Sequence, residues 1–132
     1  MIKHLKNSEI ITIINELNKG DIGSKQMPMS FLWALKVNTN KLIEVLKLYE
    51  ESRNDLVKMF STDEKSVKVI DENGLVNRNI KPEFNDEWVK QNLELLNQET
   101  EFDFTTVNID SIKDVTMTPS EFDIISRFMF EI

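Results

Sequence analysis

The side chains in this sequence that could do chemistry are almost all carboxylates. His4 is the single histidine, so neither a histidine-built metal site nor a Ser-His-Asp arrangement can be assembled from this chain alone. The absence of cysteine excludes a thiolate nucleophile, a disulfide framework and thiolate ligation of zinc or iron–sulfur clusters. Gly20, Gly23 and Gly74 are the only glycines, and none has the spacing of a loop that cradles phosphate. Asp71-Glu72-Asn73-Gly74 has the look of a calcium loop, but Val69 stands where its first ligand would be. What remains is an acidic set. Glu83, Glu87 and Glu94 recur with Lys90 at three- and four-residue steps, and Glu99, Glu101 and Asp103 follow at two-residue steps. Carboxylates in such pairs do acid–base work or hold a hard cation only inside a concave site. The expectation is therefore a protein with no catalytic apparatus, no metal and no cofactor, whose acidic residues form either a solvated face or a protein-binding one. A carboxylate-based hydrolase is the only enzyme the composition permits.

The charge is unevenly spread. The net charge of −7 resolves into +2 over residues 1–82 and −9 over residues 83–132, and residues 83–103 carry seven carboxylates against Lys90 alone. Such a surface repels phosphate backbones and attracts basic partners, so direct nucleic-acid binding is not expected. The first residues, Met-Ile-Lys-His-Leu-Lys, lack the apolar run of a secretory signal. No stretch approaches the roughly 20 apolar residues of a membrane span, so an intracellular location with no membrane partner is expected. The 132 residues, 40% hydrophobic and 30% charged, suit one domain with its own core.

The elements that must position these groups follow from periodicity. Residues 2–6 fit a short strand. Asn7 or Ser8 then caps a helix whose Ile10, Ile13, Ile14 and Leu17 share a face, and Gly20 and Gly23 close it in a loop over residues 19–26. From near Pro28, Leu32, Leu35, Leu42, Leu46, Tyr49, Leu56 and Phe60 recur at alternating three- and four-residue steps, with Thr39 and Arg53 at the two remaining seam positions. This predicts one helix of some 30 residues, about 45 Å long, that projects or packs on a second copy. Residues 61–81 fit a polar hairpin turning at Asn73-Gly74, or a mobile excursion between helices. Pro82 opens an amphipathic helix with Phe84, Trp88 and Leu95 on its inner side, joined by Val89, Leu93 and Leu96. Residues 100–109 alternate as a half-buried strand with Phe102 and Phe104 inward. After a turn near residues 110–114, Thr118-Pro119-Ser120-Glu121 is a capping box. It opens a final helix with Phe122, Ile125, Met129 and Ile132 along one stripe and Ile124 and Phe128 widening it, to be buried against the long helix. The fold class is α+β and mostly helical, one long central helix packed by three shorter ones with a small antiparallel sheet.

Two positions on the long helix stand apart. Trp33 lies one step off the leucine seam beside Phe31, Met27 and Met29, and either plugs the edge of the core or marks a helix–helix interface. Arg53 occupies a seam position, where a buried guanidinium needs an acidic partner and polar residues set register between paired helices. Trp88 reads as core.

Several segments together carry a resemblance: Ser30-Phe31-Leu32-Trp33-Ala34-Leu35-Lys36 ahead of Leu42, Tyr49-Glu50-Glu51-Ser52-Arg53 with Leu56, Glu83-Phe84 ahead of Leu95-Leu96, and Met117-Thr118-Pro119-Ser120-Glu121 ahead of Phe128-Met129. Over most of its length the chain resembles a family of small proteins of unknown function encoded by siphophages and prophages of low-GC Gram-positive bacteria. It departs from that pattern at residues 61–66 and at Arg127, where the family tends to be acidic. The resemblance implies a phage gene product working in the cytoplasm of a host bacterium and supplies no active site. With the charge, it sets two expectations. One is a non-enzymatic accessory protein that binds a host or phage protein with a basic surface, its Glu83, Glu87, Glu94, Glu99, Glu101 and Asp103 imitating the charge of a nucleic acid. The other is a virion assembly or structural protein that forms a homodimer or larger oligomer through the long helix at Trp33 and Arg53.

Overall fold

The computed structural model of the chain describes residues 1–20, 22 and 25–130. The expected Gly23 helix stop and the Ile132 end of the last apolar stripe lie outside the described residues, as do Asp21 and Ser24 of the expected loop. The elements in order are β1 (Ile2–Lys6), α1 (Asn7–Lys19), α2 (Met29–Phe60), β2 (Ser66–Ile70), β3 (Val76–Ile80), α3 (Pro82–Leu96), β4 (Glu99–Asp103), a 3-10 turn (Ile109–Ile112) and α4 (Pro119–Ser126). The fold is α+β and mostly helical, with two separate two-stranded antiparallel sheets, β1–β4 and β2–β3. The chain forms two compact units: Met1–Lys47 with Glu99–Ile132, and Leu48–Gln98. Helix α2 contributes residues 29–47 to the first and 48–60 to the second.

The first unit holds the main core. Ile10, Ile13 and Ile14 of α1 are buried at helical spacing as expected, with Leu5 of β1, Phe102 and Phe104 of the β4 region, and Ile124, Ile125, Phe128 and Met129 of the C-terminal segment. Helix α1 starts one residue earlier than the expected Asn7 or Ser8 cap. Lys6 is its N-cap, Asn7 is buried in the first turn, and Glu9 Oε1 accepts the Lys6 backbone N–H at 3.1 Å. The fixed register of β1 on β4, with His4 opposite Glu101, puts Phe102 inward, and its ring stacks on Phe104 at 5.1 Å. Strand β4 ends sooner than the alternation suggested. Phe104 donates its N–H to the Met1 carbonyl, and from Thr105 on the backbone is served by a side chain, Asn38, fully buried on α2. Val107 then bridges to Phe130.

The buried stripe of α2 in this unit is Phe31, Ala34, Asn38 and Leu42; Leu42 is buried as expected, whereas the first three stand one position before the expected Leu32, Leu35 and Thr39, which are half-buried. Small Ala34 and the hydrogen-bonding Asn38 let the C-terminal segment approach the helix closely, and a leucine at either place would not. Helix α4 begins with the expected capping box: Thr118 Oγ1 accepts the Glu121 N–H, and Glu121 Oε1 accepts the Thr118 N–H at 3.1 Å. It stops at Ser126, and Phe122 points outward where an inward position was expected.

The second unit is built on Tyr49, Leu56 and Phe60, the seam residues of α2 that hold as expected. Phe60 meets Trp88 of α3 edge-on at 5.3 Å, and the Lys65 ammonium lies 4.9 Å from the centre of the Phe60 ring. The hairpin reading holds for residues 66–80. Asp71 ties the turn by accepting the N–H groups of Asn73 and Leu75 on its Oδ1, and Gly74 takes φ of +77°, a conformation costly to a residue with a Cβ. Phe84, Trp88, Leu95 and Leu96 form the half-buried side of α3, whereas Val89 and Leu93, expected to join them, are exposed; no α3 residue is fully buried.

Candidate functional site

The six candidate carboxylates sit in two different settings. In the second unit, Glu83, Glu87 and Glu94 are exposed on α3 and fall with Lys90 on one ridge, because steps of three and four residues return to the same side of a helix. Gln91 Nε2 donates to Glu87 Oε1 at 3.1 Å, and none of the three carboxylates has an ion-pair partner among the described residues. Asp86 adds a fourth, also unpaired, and exposed Leu93 and Val89 flank the ridge. This surface is acidic with aliphatic patches beside the charge.

In the first unit, Glu99, Glu101 and Asp103 share the exposed face of β4, and β1 sets polar and charged groups opposite them. Lys6 is opposite Glu99, His4 Nε2 is 3.7 Å from Glu101 Oε2, and the N-terminal ammonium is 3.3 Å from Asp103 Oδ1. Lys41 Nζ donates to the Asp103 carbonyl, and Lys3 Nζ to that of Arg127. Asp103 is thus met by a cation within the chain and Glu101 by an imidazole, a consequence of strand pairing that the spacing within β4 does not reveal.

Trp33 does not plug the core. Its side chain is 65% exposed and Met29, one turn earlier on the same side of α2, is 76% exposed, while Phe31 between them is fully buried. Arg53, expected at a buried seam, is exposed and makes no hydrogen bond or ion pair among the described residues. Its place in the three-four pattern falls between Tyr49 and Leu56, both buried, yet Arg53 itself stays in solvent.

Two clefts of the first unit were not anticipated from the sequence. One, of about 350 Å³, is lined by Glu16, Lys19, Thr118, Ser120 and Glu121. Hydrogen bonding from the Thr118 backbone holds the Glu121 carboxyl below its ordinary value, with lesser help from the Thr118 hydroxyl and the Lys25 ammonium 3.6 Å away, against the opposing effect of burial. That carboxylate is committed to its cap and its ion pair. The second, of about 530 Å³, is an apolar groove between the 3-10 turn and α4, walled by Ile109, Ile112, Val115, Met117, Pro119 and Phe122. The run of apolar residues around a Thr-Pro cap was its only trace in the sequence. Among the described residues no three His, Asp or Glu side chains converge as metal ligands, and no helix is long and apolar enough to cross a membrane.

No family model, curated protein or solved structure matches the chain.

Proposed function

We propose that this chain is a non-enzymatic phage or prophage accessory protein that binds a host or phage protein stoichiometrically, presenting α3 to a basic surface. The single observation that carries this reading is the α3 ridge of Glu83, Glu87 and Glu94, whose carboxylates have no ion-pair partner among the described residues. Unpaired carboxylates steer a basic partner and select it, and adjacent aliphatic side chains supply area to desolvate once it arrives. Exposed Leu93, next to Glu94 and one turn from Lys90, borders the ridge, and exposed Val89 lies further round the helix. The face of β4 is the weaker candidate because Asp103 is paired with the N-terminal ammonium and Glu101 lies against His4. The phage setting rests on the resemblance carried by the Ser30–Lys36, Tyr49–Arg53, Glu83-Phe84 and Met117–Glu121 segments.

The reading is tested by affinity capture from host lysate with three baits: the unaltered chain, Glu83→Lys/Glu87→Lys/Glu94→Lys, and Glu99→Lys/Glu101→Lys. A protein held by the first and third baits, lost from the second and released by added salt is the expected result. A captured set that is the same for all three, or indifferent to salt, would overturn it.

A further inference from the structure

We infer that the first unit carries both halves of a self-association contact, in which the Met29–Trp33 ridge of α2 seats in the groove between the 3-10 turn and α4 of a second copy. The inference is independent of α3. On the ridge, two large apolar side chains stand in solvent four residues apart while the opposite side of the same turns is buried through Phe31 and Ala34. Tryptophan is the residue type that most often anchors a protein interface, and methionine adapts to the pocket it enters. The groove is the matching absence. At about 530 Å³ it lies within the range of sites that enclose compact ligands, and its walls expose apolar surface, Ile109 at 48% and Phe122 at 41%. The lining is held in place, with Ile112 buried and the Phe122 ring stacked on Phe130 at 6.0 Å.

Charge commits the occupant to a second copy. Residues 25–43 contain no carboxylate; of their lysines, Lys25 is paired with Glu121 and Lys41 with the Asp103 carbonyl, and Lys36 is exposed one turn beyond Trp33. The groove carries Asp110 in its lining and exposed Asp114 next to it, neither with an ion-pair partner among the described residues, against one cation, Lys113. A ridge with a lysine at its end thus meets a groove with a carboxylate at its rim. The two also lie at one end of the unit. Phe31, two residues from Trp33, is 6.4 Å from Phe130, the same ring that stacks on Phe122. A two-fold operation can therefore seat each copy's ridge in the other's groove, giving a closed dimer with two identical contacts.

Sedimentation of the full chain from low micromolar to submillimolar concentration is the test. The mass is expected to rise from 15.5 kDa toward twice that value. Trp33→Ser on the ridge and Ile109→Glu in the groove, both exposed positions that leave the melting curve in place, should each weaken association by at least about tenfold. Lys36→Glu should weaken it and Asp110→Lys in the same chain restore it. In a Trp88→Phe background, Trp33 emission should shift to the blue as the dimer forms. A particle of one chain's mass throughout, a dimer indifferent to Trp33→Ser or Ile109→Glu, or a charge exchange that fails to restore association would overturn the proposal.

Discussion

Asn38 of α2 serves the backbone of Thr105 with both ends of its amide: Oδ1 accepts the Thr105 N–H at 2.9 Å and Nδ2 donates to the Thr105 carbonyl at 2.8 Å. The same Nδ2 lies 3.2 Å from the Phe128 carbonyl, so one buried side chain ties α2 to the segment after β4 and to the end of the chain's last helical turn. It does there what a neighbouring strand does for β4 before it.

Replacing Asn38 should therefore cost more than its size suggests. Asn38→Leu strands backbone groups of Thr105 and Phe128 without partners and is expected to lower the unfolding free energy by about 2–3 kcal/mol. Asn38→Asp, which keeps the acceptor and loses the donor, should also destabilise. Urea melts monitored by circular dichroism check both, and a loss below experimental error for Asn38→Leu would contradict this role.

Glu121 predicts a pH dependence with a definite sign. Its carboxyl is held below the ordinary value, first by the Thr118 backbone and then by the Thr118 hydroxyl and Lys25. A lowered folded-state value contributes stability above the ordinary carboxyl pKa of about 4.3 and loses it as pH falls through the folded value. The melting temperature of Glu121→Gln should accordingly lie below that of the unaltered protein at neutral pH, and the gap should close under acid conditions. A gap that is constant with pH would rule out the carboxylate as its origin.

Gly74 holds the β2–β3 turn at positive φ with nothing within 4 Å of where a Cβ would be, so the cost of a side chain there is conformational and not steric. Gly74→Ala is expected to destabilise the hairpin by about 1–2 kcal/mol. The loss should appear as faster amide exchange in residues 67–79 with little change in α1.

The two units should also differ in protection. In the second, Tyr49, Leu56, Phe60 and Ser66 are the buried positions among the described residues, and β2 beyond Ser66 is exposed along its length. Native-state hydrogen exchange should find its hairpin amides opening at least about tenfold more readily than the amides of α1, whose Ile10 and Ile13 are 1% exposed. Equal protection across both would show that the hairpin is more firmly held than its exposure implies.

Much of the fold was legible in residue order because it depends on local rules. Ile10, Ile13 and Ile14 at helical spacing, the Thr118–Glu121 capping box, Gly74 after Asn73, and Phe102 alternating with Phe104 each state a preference that neighbours in sequence can satisfy. The long helix was legible for the same reason, with its far seam of Tyr49, Leu56 and Phe60. In the near half Leu42 is buried as expected, but the positions before it were not legible. Leu32, Leu35 and Thr39 fit the period as well as Phe31, Ala34 and Asn38 do, and a shift of one residue rotates the stripe by about 100° without breaking the pattern. Which stripe faces inward depends on what packs there, and that surface comes from residues 102–130, far along the chain.

The carboxylates divide in the same way. Residue types and spacing alone determined that this protein is acidic after residue 82, that it has no thiol and only one imidazole, and that Glu83, Glu87 and Glu94 share one side of a helix. Only the tertiary structure decided which of those charges stand free: pairing with β1 set His4, Lys6 and the N-terminal ammonium against β4, while the α3 ridge received no such neighbour. It likewise turned Trp33 outward. Charge and hydrophobicity belong to a residue, but compensation and burial belong to a pair, and a pair separated by about a hundred positions in the chain exists only once the chain has folded.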